Sequence, residues 1–206
     1  MEDFDDDTWS IHLQSLRIPL GTSASLTKRP GYLRLYGGES MSSFHHQSLL
    51  AHRQQHFHFN ANTVIEFNPI TYQQMAGLIY YYDNISYYYL HVTYDEEQGK
   101  ILNLISSVLG NTTYPIGHGI PIGNESSIEL RLICHMEQAQ FSYSLDGKHF
   151  TDVGPVLDAT VLSDDYYVKK GHCRFTGAFI GICCQDLSGQ QKYADFDYLK
   201  YKELEK

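Results

Sequence analysis

The sequence predicts an all-β antiparallel sandwich built as a single domain. Three observations carry that expectation. Apolar and polar residues alternate with a period of two along much of the chain, and no long stretch shows a helical period. The alternating runs are separated by short clusters of Gly, Asp, Asn and Pro, the residues that punctuate strands. The 206 residues are 42% hydrophobic and 14% aromatic, enough for one sizeable core. No composition shift or internal repeat divides the chain, so residues 1–206 are read as one domain.

Each element follows from its pattern. In "GYLRLYG" (31–37), Leu33 and Leu35 alternate with Tyr32, Arg34 and Tyr36. "TVIEFNP" (63–69) alternates likewise and stops at Pro69, which has no N–H to continue a ladder. "SIELRLICHM" (127–136) sets Ile128, Leu130 and Leu132 against Glu129, Arg131 and Ile133. Residues 140–154 contain Asp146-Gly147, a pair suited to a tight hairpin turn. "AFIGICCQ" (178–185) and "YADFDYLKY" (193–201) form the last pair, around the loop "DLSGQQK".

The most unusual stretch is "AGLIYYYDNISYYYLHV" (76–92), with three tyrosines on each side of a four-residue turn segment. Residues 77–82 and 87–93 read as two strands. Tyr80 and Tyr82 share a face opposite Tyr81, and Tyr87 and Tyr89 oppose Tyr88, so no register places all six on one side. One face is expected to line the core and the other to give an exposed or partner-facing aromatic surface. Tyr80, Tyr82, Tyr87 and Tyr89 are the candidates for it. The plainer alternative is that tyrosine simply suits a half-buried sheet.

Charge and motifs exclude several functions. The formal charge is −9 and the 15 Lys and Arg are scattered, which argues against a nucleic-acid face and for neutral ligands or proteins. "MEDFDDDTWS" has no apolar signal core, and no apolar run is long enough for a membrane span; a cytoplasmic location is expected. Cys134, Cys173, Cys183 and Cys184 show no metal spacing and are expected as buried free thiols, with Cys183 and Cys184 on opposite faces of a strand. His56 and His58 would share a strand face as a metal pair, but no third ligand follows at a recognisable spacing. Nucleophile elbows, phosphate loops and HExxH are missing. So is the E-x-D-x-x-E string that sandwich glucanases use, and the acids of "YDEEQGK" (94–100) sit in an apparent turn. Asp195 and Asp197 fall on one face of the last strand. With Asp3 or Asp5 they could share a calcium ion where the chain ends meet, or they could be charges that discourage edge aggregation.

Several long strings carry a resemblance. "LQSLRIPL" (13–20), "SLTKRPGYLRLYGGESMSS" (25–43), "SLLAHRQQHFHFNANTVIEFNP" (48–69), residues 76–100, "RFTGAFIGICCQDLSG" (174–189) and "ADFDYLKY" (194–201) resemble the C-terminal concanavalin A-like domain of glycoside hydrolase family 43 β-xylosidases. The strings run in order through nearly the whole chain. One departure is His52, where the family usually has arginine. The resemblance implies a concanavalin A-like jelly-roll sandwich that packs on an N-terminal catalytic β-propeller, with the inverting carboxylates all in the propeller and outside this chain. It implies an aromatic from the sandwich that borders the leaving-sugar subsite, best matched by Phe175 in "GHCRFTGAF" (171–179), and it favours a calcium ion near Asp197. The expected partners are the propeller and a xylo-oligosaccharide at the shared pocket, with a homo-oligomer compatible. A free-standing carbohydrate-binding module or lectin is the alternative.

An inverting glycosidase needs two carboxyls held roughly 6.5–9.5 Å apart, and no strand pattern in the chain supplies them. The chain on its own is therefore expected to release nothing from an aryl β-xyloside or an aryl arabinofuranoside. Turnover that survives repurification and disappears on mutating one of the chain's acids would contradict this.

Overall fold

The structure, a computed structural model, describes residues 1–205. Its strands are β1 (Leu13–Ser15), β2 (Ala24–Ser25), β3 (Leu33–Tyr36), β4 (Ser48–Arg53), β5 (His58–Glu66), β6 (Gln74–Asp83), β7 (Ser86–Asp95), β8 (Gly99–Val108), β9 (Asn111–Thr113), β10 (Ile120–Pro121), β11 (Ile128–His135), β12 (Gln138–Ser144), β13 (Thr151–Asp158), β14 (Phe179–Asp186) and β15 (Tyr193–Glu203), with one short helix, α1 (Asp164–Lys169). One sheet runs β1-β4-β14-β6-β7-β8-β10 with β9 beside β8, and the other runs β13-β12-β11-β5-β15-β3-β2. The long central ladders are all antiparallel, as in β6–β7, β7–β8, β14–β6, β11–β5 and β15–β5. Sheet faces on sheet, and the main core lies between them. Among the described residues, no helix is long and apolar enough to cross a membrane.

The second sheet follows the alternating pattern. Leu33 and Leu35 of β3, with Ile128, Leu130 and Leu132 of β11, are buried while their neighbours face out. The expected turn at Asp146-Gly147 forms, but within a longer connection over residues 145–150. Asp146 Oδ1 accepts from the N–H groups of Lys148 and His149, both at 2.8 Å, and Gly147 takes φ +69°. Asp95 likewise closes the β7–β8 turn by accepting from the N–H groups of Glu97 and Gln98.

The first sheet departs from simple alternation because it is buried on both faces. β4 and β8 show almost continuous burial over their central residues, so neither carries a clear period of two. A second apolar cluster explains why. Met41, Leu49, Ala51, Ile79, Ile105 and Cys183 pack with Tyr81, Tyr87 and Tyr89 on the face turned away from the main core. The segment at residues 38–47 supplies Met41 to this cluster and is tied to the β6–β7 turn, where Asn84 Nδ2 donates to the Ser42 carbonyl at 3.2 Å.

The six tyrosines therefore form no aromatic surface. The register pairs Tyr80 with Tyr88 and Tyr81 with Tyr87, so Tyr80, Tyr82 and Tyr88 enter the main core while Tyr81, Tyr87 and Tyr89 enter the second cluster. Tyr80, Tyr82, Tyr87 and Tyr89 neither share a face nor stand exposed: all six rings are between 0% and 5% accessible. The buried phenols find acceptors, Tyr80 in Gln54 Oε1 at 2.7 Å and Tyr88 in the Asp158 carbonyl at 2.9 Å. Alternation split the rings as expected. What it could not reveal is that both faces are covered.

The cysteines follow the same division. Cys183 lies in the second cluster, Cys184 and Cys134 in the main core, but Cys173 is exposed and departs from the expectation of four buried thiols. Burial pushes the Cys134 thiol up to about 11. His56 is not in a strand: its N–H donates to Tyr201 Oη at 3.1 Å and its ring stacks on Tyr201. His58 begins β5 and pairs instead with His135 across the ladder, the two Nδ1 atoms 3.2 Å apart.

His91, on β7, is 1% accessible, and burial pushes its pKa down to about 4 against a weaker upward effect of the Tyr89 carbonyl, 3.1 Å from Nδ1. The unfolded chain takes up this proton near pH 6.5, whereas the folded chain resists it until about 4. The stability linked to His91 is thus fully present above about pH 6.5 and is lost as pH falls toward 4. Urea denaturation near neutral pH and near pH 4.5 should show His91→Gln losing on the order of 2 kcal/mol less than the unaltered chain over that interval. Parallel losses in the two proteins would contradict the assignment.

Candidate functional site

The candidate site is an arch over residues 171–178, between α1 and β14, that crosses the tip of the tyrosine hairpin. Local chemistry starts and stops α1. Ser163 caps it by accepting from the Tyr166 N–H at 3.2 Å, Asp164 and Asp165 occupy the positive first turn, and Lys169 occupies the last. Gly171, at φ +81°, then turns the chain out of the helix.

The residues flanking Phe175, namely Arg174, Thr176 and Gly177, are pinned. The Arg174 guanidinium lies 2.8 Å from Asp83 Oδ2, and the Arg174 carbonyl lies 3.1 Å from Tyr82 Oη. Arg53 Nη1 donates to the Thr176 carbonyl at 2.8 Å. The Gly177 N–H donates to Asp164 Oδ1 at 3.3 Å. Gly177 adopts φ +71°, and a Cβ there would stand 2.6 Å from Arg53 Nη1. The Phe175 ring between Arg174 and Thr176 is left out, 78% exposed. Exposure of a phenyl ring forgoes about 2 kcal/mol that burial would contribute, so the fold holds this ring in water at a cost.

The hairpin tip supplies the anchor. Asp83, buried, closes its own turn by accepting at Oδ1 from the N–H groups of Ile85 and Ser86, each at 2.9 Å. Tyr167 of α1 brings its hydroxyl within 2.6 Å of Ser86 Oγ and 2.9 Å of Asp83 Oδ1. Tyr82 donates to Asp164 Oδ1 at 2.6 Å. Burial, then the hydrogen bond to Asp164, pushes the Tyr82 phenol up to about 12, so it stays a donor through the physiological range. Beside the arch, Tyr80, Phe57, Tyr166, Asp164, Gly177 and Ala178 help line a groove of about 600 Å³. Phe57 in that groove and Phe44 in the segment tied to Asn84 are exposed as well.

Of the two last-strand aspartates singled out, Asp195 is engaged by arginines. Arg34 grips Asp195 through Nε at 2.7 Å and Nη2 at 2.8 Å, while Arg29 grips Glu66 at 2.8 and 2.9 Å and reaches Asp195 at 3.0 Å. Arg29 also stacks 3.5 Å over Tyr32, and its hydrogen bonds hold the Glu66 carboxyl below its ordinary range. A bulge between Phe196 and Tyr198 breaks the alternation that would have aligned Asp197 with Asp195. Burial, then the charge of Asp5, raises the Asp197 pKa. Among the described residues no group of three or more His, Cys, Asp or Glu side chains is placed to hold a metal. Asp197 lies near enough to Asp5 to feel its charge, and among the described residues no third such side chain joins them in a set of three.

The profile described as "Beta xylosidase C-terminal Concanavalin A-like domain" matches residues 1–202. The chain belongs to this family. The β-xylosidase C-terminal domain is 42% identical over 207 residues to a putative β-xylosidase of Escherichia coli and 40% identical over 205 residues to a β-xylosidase of Bacillus subtilis. Each alignment takes in 98% of this chain but 38% of the relative, so the chain spans well under half the length of the proteins it matches. The crystal structure of a xylan β-1,4-xylosidase from Bacillus halodurans superposes with a TM-score of 0.94 at 43% identity, over 98% of this chain and 38% of that one. A GH43 protein from Bacillus licheniformis follows at 0.88 and 30%, over 98% of this chain and 39% of that one.

Of the residues singled out in the sequence, Phe175 lies in the arch, and its high exposure excludes a role as a cap on the core. The pinning residues were not legible: Asp164 and Arg174 fall in the polar string "LSDDYYVKKGHCR", while Asp83 and Arg53 end strands far from it in sequence. One signal was there: Ser163-Asp164-Asp165 followed by Lys169 is a capped, dipole-matched helix turn.

Gly177→Ala should cost about 1 kcal/mol of stability in urea denaturation, because it forces a Cβ into the left-handed region and against Arg53. An unchanged midpoint would mean that the arch is free to relax there.

Proposed function

We propose that this domain is the accessory C-terminal part of a xylan-degrading glycosidase of the β-xylosidase or arabinofuranosidase type, packing on a catalytic β-propeller and completing its substrate pocket with Phe175. One observation carries the reading: a ring 78% exposed between arch residues Arg174, Thr176 and Gly177 that are tied down. An unconstrained loop would fold such a ring away from water. A pinned one presents it to something outside the chain.

The family supports the identity of that partner. The relatives named as β-xylosidases carry more than half of their length outside this domain, and one relative is named a xylosidase/arabinosidase. In the resemblance, the hydrolytic carboxylates belong to the propeller. The contribution of Phe175 is then stacking on the apolar face of the leaving sugar and exclusion of water, with no proton transfer of its own.

The test requires the complete enzyme, with the catalytic part joined to this domain. Phe175→Ala should lower kcat/KM for xylobiose on the order of tenfold, the equivalent of one stacking contact, and leave the melting temperature nearly unchanged. Normal kinetics with a large loss of stability would contradict the reading.

A further inference from the structure

We infer that Asp164 is a positioning residue for Phe175, fixing where the ring stands by tying the arch to the tyrosine hairpin through one carboxylate oxygen. The inference rests on the pocket role proposed for Phe175.

Asp164 Oδ1 accepts from two donors that belong to different elements, Tyr82 Oη on β6 at 2.6 Å and the Gly177 N–H at the end of the arch at 3.3 Å. Asp164 is the first residue of α1, and the capping Ser163 fixes the turn that carries it. Three segments thus meet at a single atom. The arch has two feet. The foot before Phe175 is held by the ion pair of Arg174 with the buried Asp83. The foot after it is held by Asp164, by Arg53, whose side chain reaches in from an exposed residue to the Thr176 carbonyl, and by the Gln54 N–H, which donates to the Ala178 carbonyl at 2.9 Å. Without Asp164, Gly177 loses its acceptor and the buried Tyr82 hydroxyl loses its shortest partner. The ring would then sweep a range of positions, and displacement by about 1 Å is enough to cost catalysis heavily.

A simple helix role makes a different prediction. Asp165 sits in the same first turn with the same charge, so it would serve the helix dipole equally. Only Asp164 touches the hairpin and the arch.

The experiment is a set of variants in the complete enzyme, assayed on xylobiose with melting temperatures recorded. Asp164→Ala should lower kcat/KM by about the same factor as Phe175→Ala, on the order of tenfold. The double variant should be no worse than Phe175→Ala alone, because a ring that is absent cannot be misplaced. Asp164→Asn, whose amide oxygen can still accept both bonds, should stay within about twofold of the unaltered enzyme. Asp165→Ala should leave kinetics unchanged. If Asp164→Ala fails to fold, Tyr82→Phe removes only the hydroxyl and should still lower kcat/KM by about threefold. Effects that multiply in the double variant, or a loss in Asp165→Ala equal to that in Asp164→Ala, would overturn the positioning role and leave the pocket role of Phe175 standing. Phe175→Ala without kinetic effect would overturn both.

Discussion

Burial of the β6–β7 hairpin on both faces is the constraint on which the rest of the structure depends. A hairpin with one solvated face could wear polar residues there. This one carries Tyr80, Tyr82 and Tyr88 into the core between the sheets and Tyr81, Tyr87 and Tyr89 into a second cluster roofed by the segment around Met41. Tyrosine suits both environments because its ring fills a core while its hydroxyl reaches an acceptor near the border. The density of tyrosines is thus a packing solution, and it makes the hairpin a rigid post through the centre of its sheet.

A rigid post has a rigid tip, and the tip is where structure turns into function. Asp83 closes the turn with its own side chain and still offers an oxygen to Arg174, while Tyr82 hands its hydroxyl to Asp164. The arch is therefore built on a hairpin buried on both faces. Its position relative to the sandwich is set by buried groups, so the exposed ring inherits their order. In a two-part enzyme this matters, because a contact offered to a neighbouring domain helps catalysis only if it is in place before substrate arrives.

Much of this was legible in the sequence and some was not, for physical reasons. Strands with one solvated face, such as β3 and β11, announced themselves through the alternation of Leu33, Leu35, Leu130 and Leu132 with charged neighbours. β4 and β8 did not, because burial on both faces erases the alternation. The likeness of long strings to a known domain led to Phe175, which no local pattern marks. Asp164 and Asp83 stayed hidden because their partners lie 82 and 91 residues away in sequence, Tyr82 for one and Arg174 for the other. The same distance hid the pairing of Asp195 with Arg34 and Arg29.

The central claim is that the arch is as ordered as the hairpin beneath it while its phenyl ring stands in solvent. Backbone ¹⁵N relaxation on the isolated domain tests this most directly. The account predicts order parameters near 0.85 at Arg174, Thr176 and Gly177, matching those of β6 and β14. Values below about 0.6 across residues 172–178 would show a loop that is free in solution, and would contradict a ring held ready for a partner.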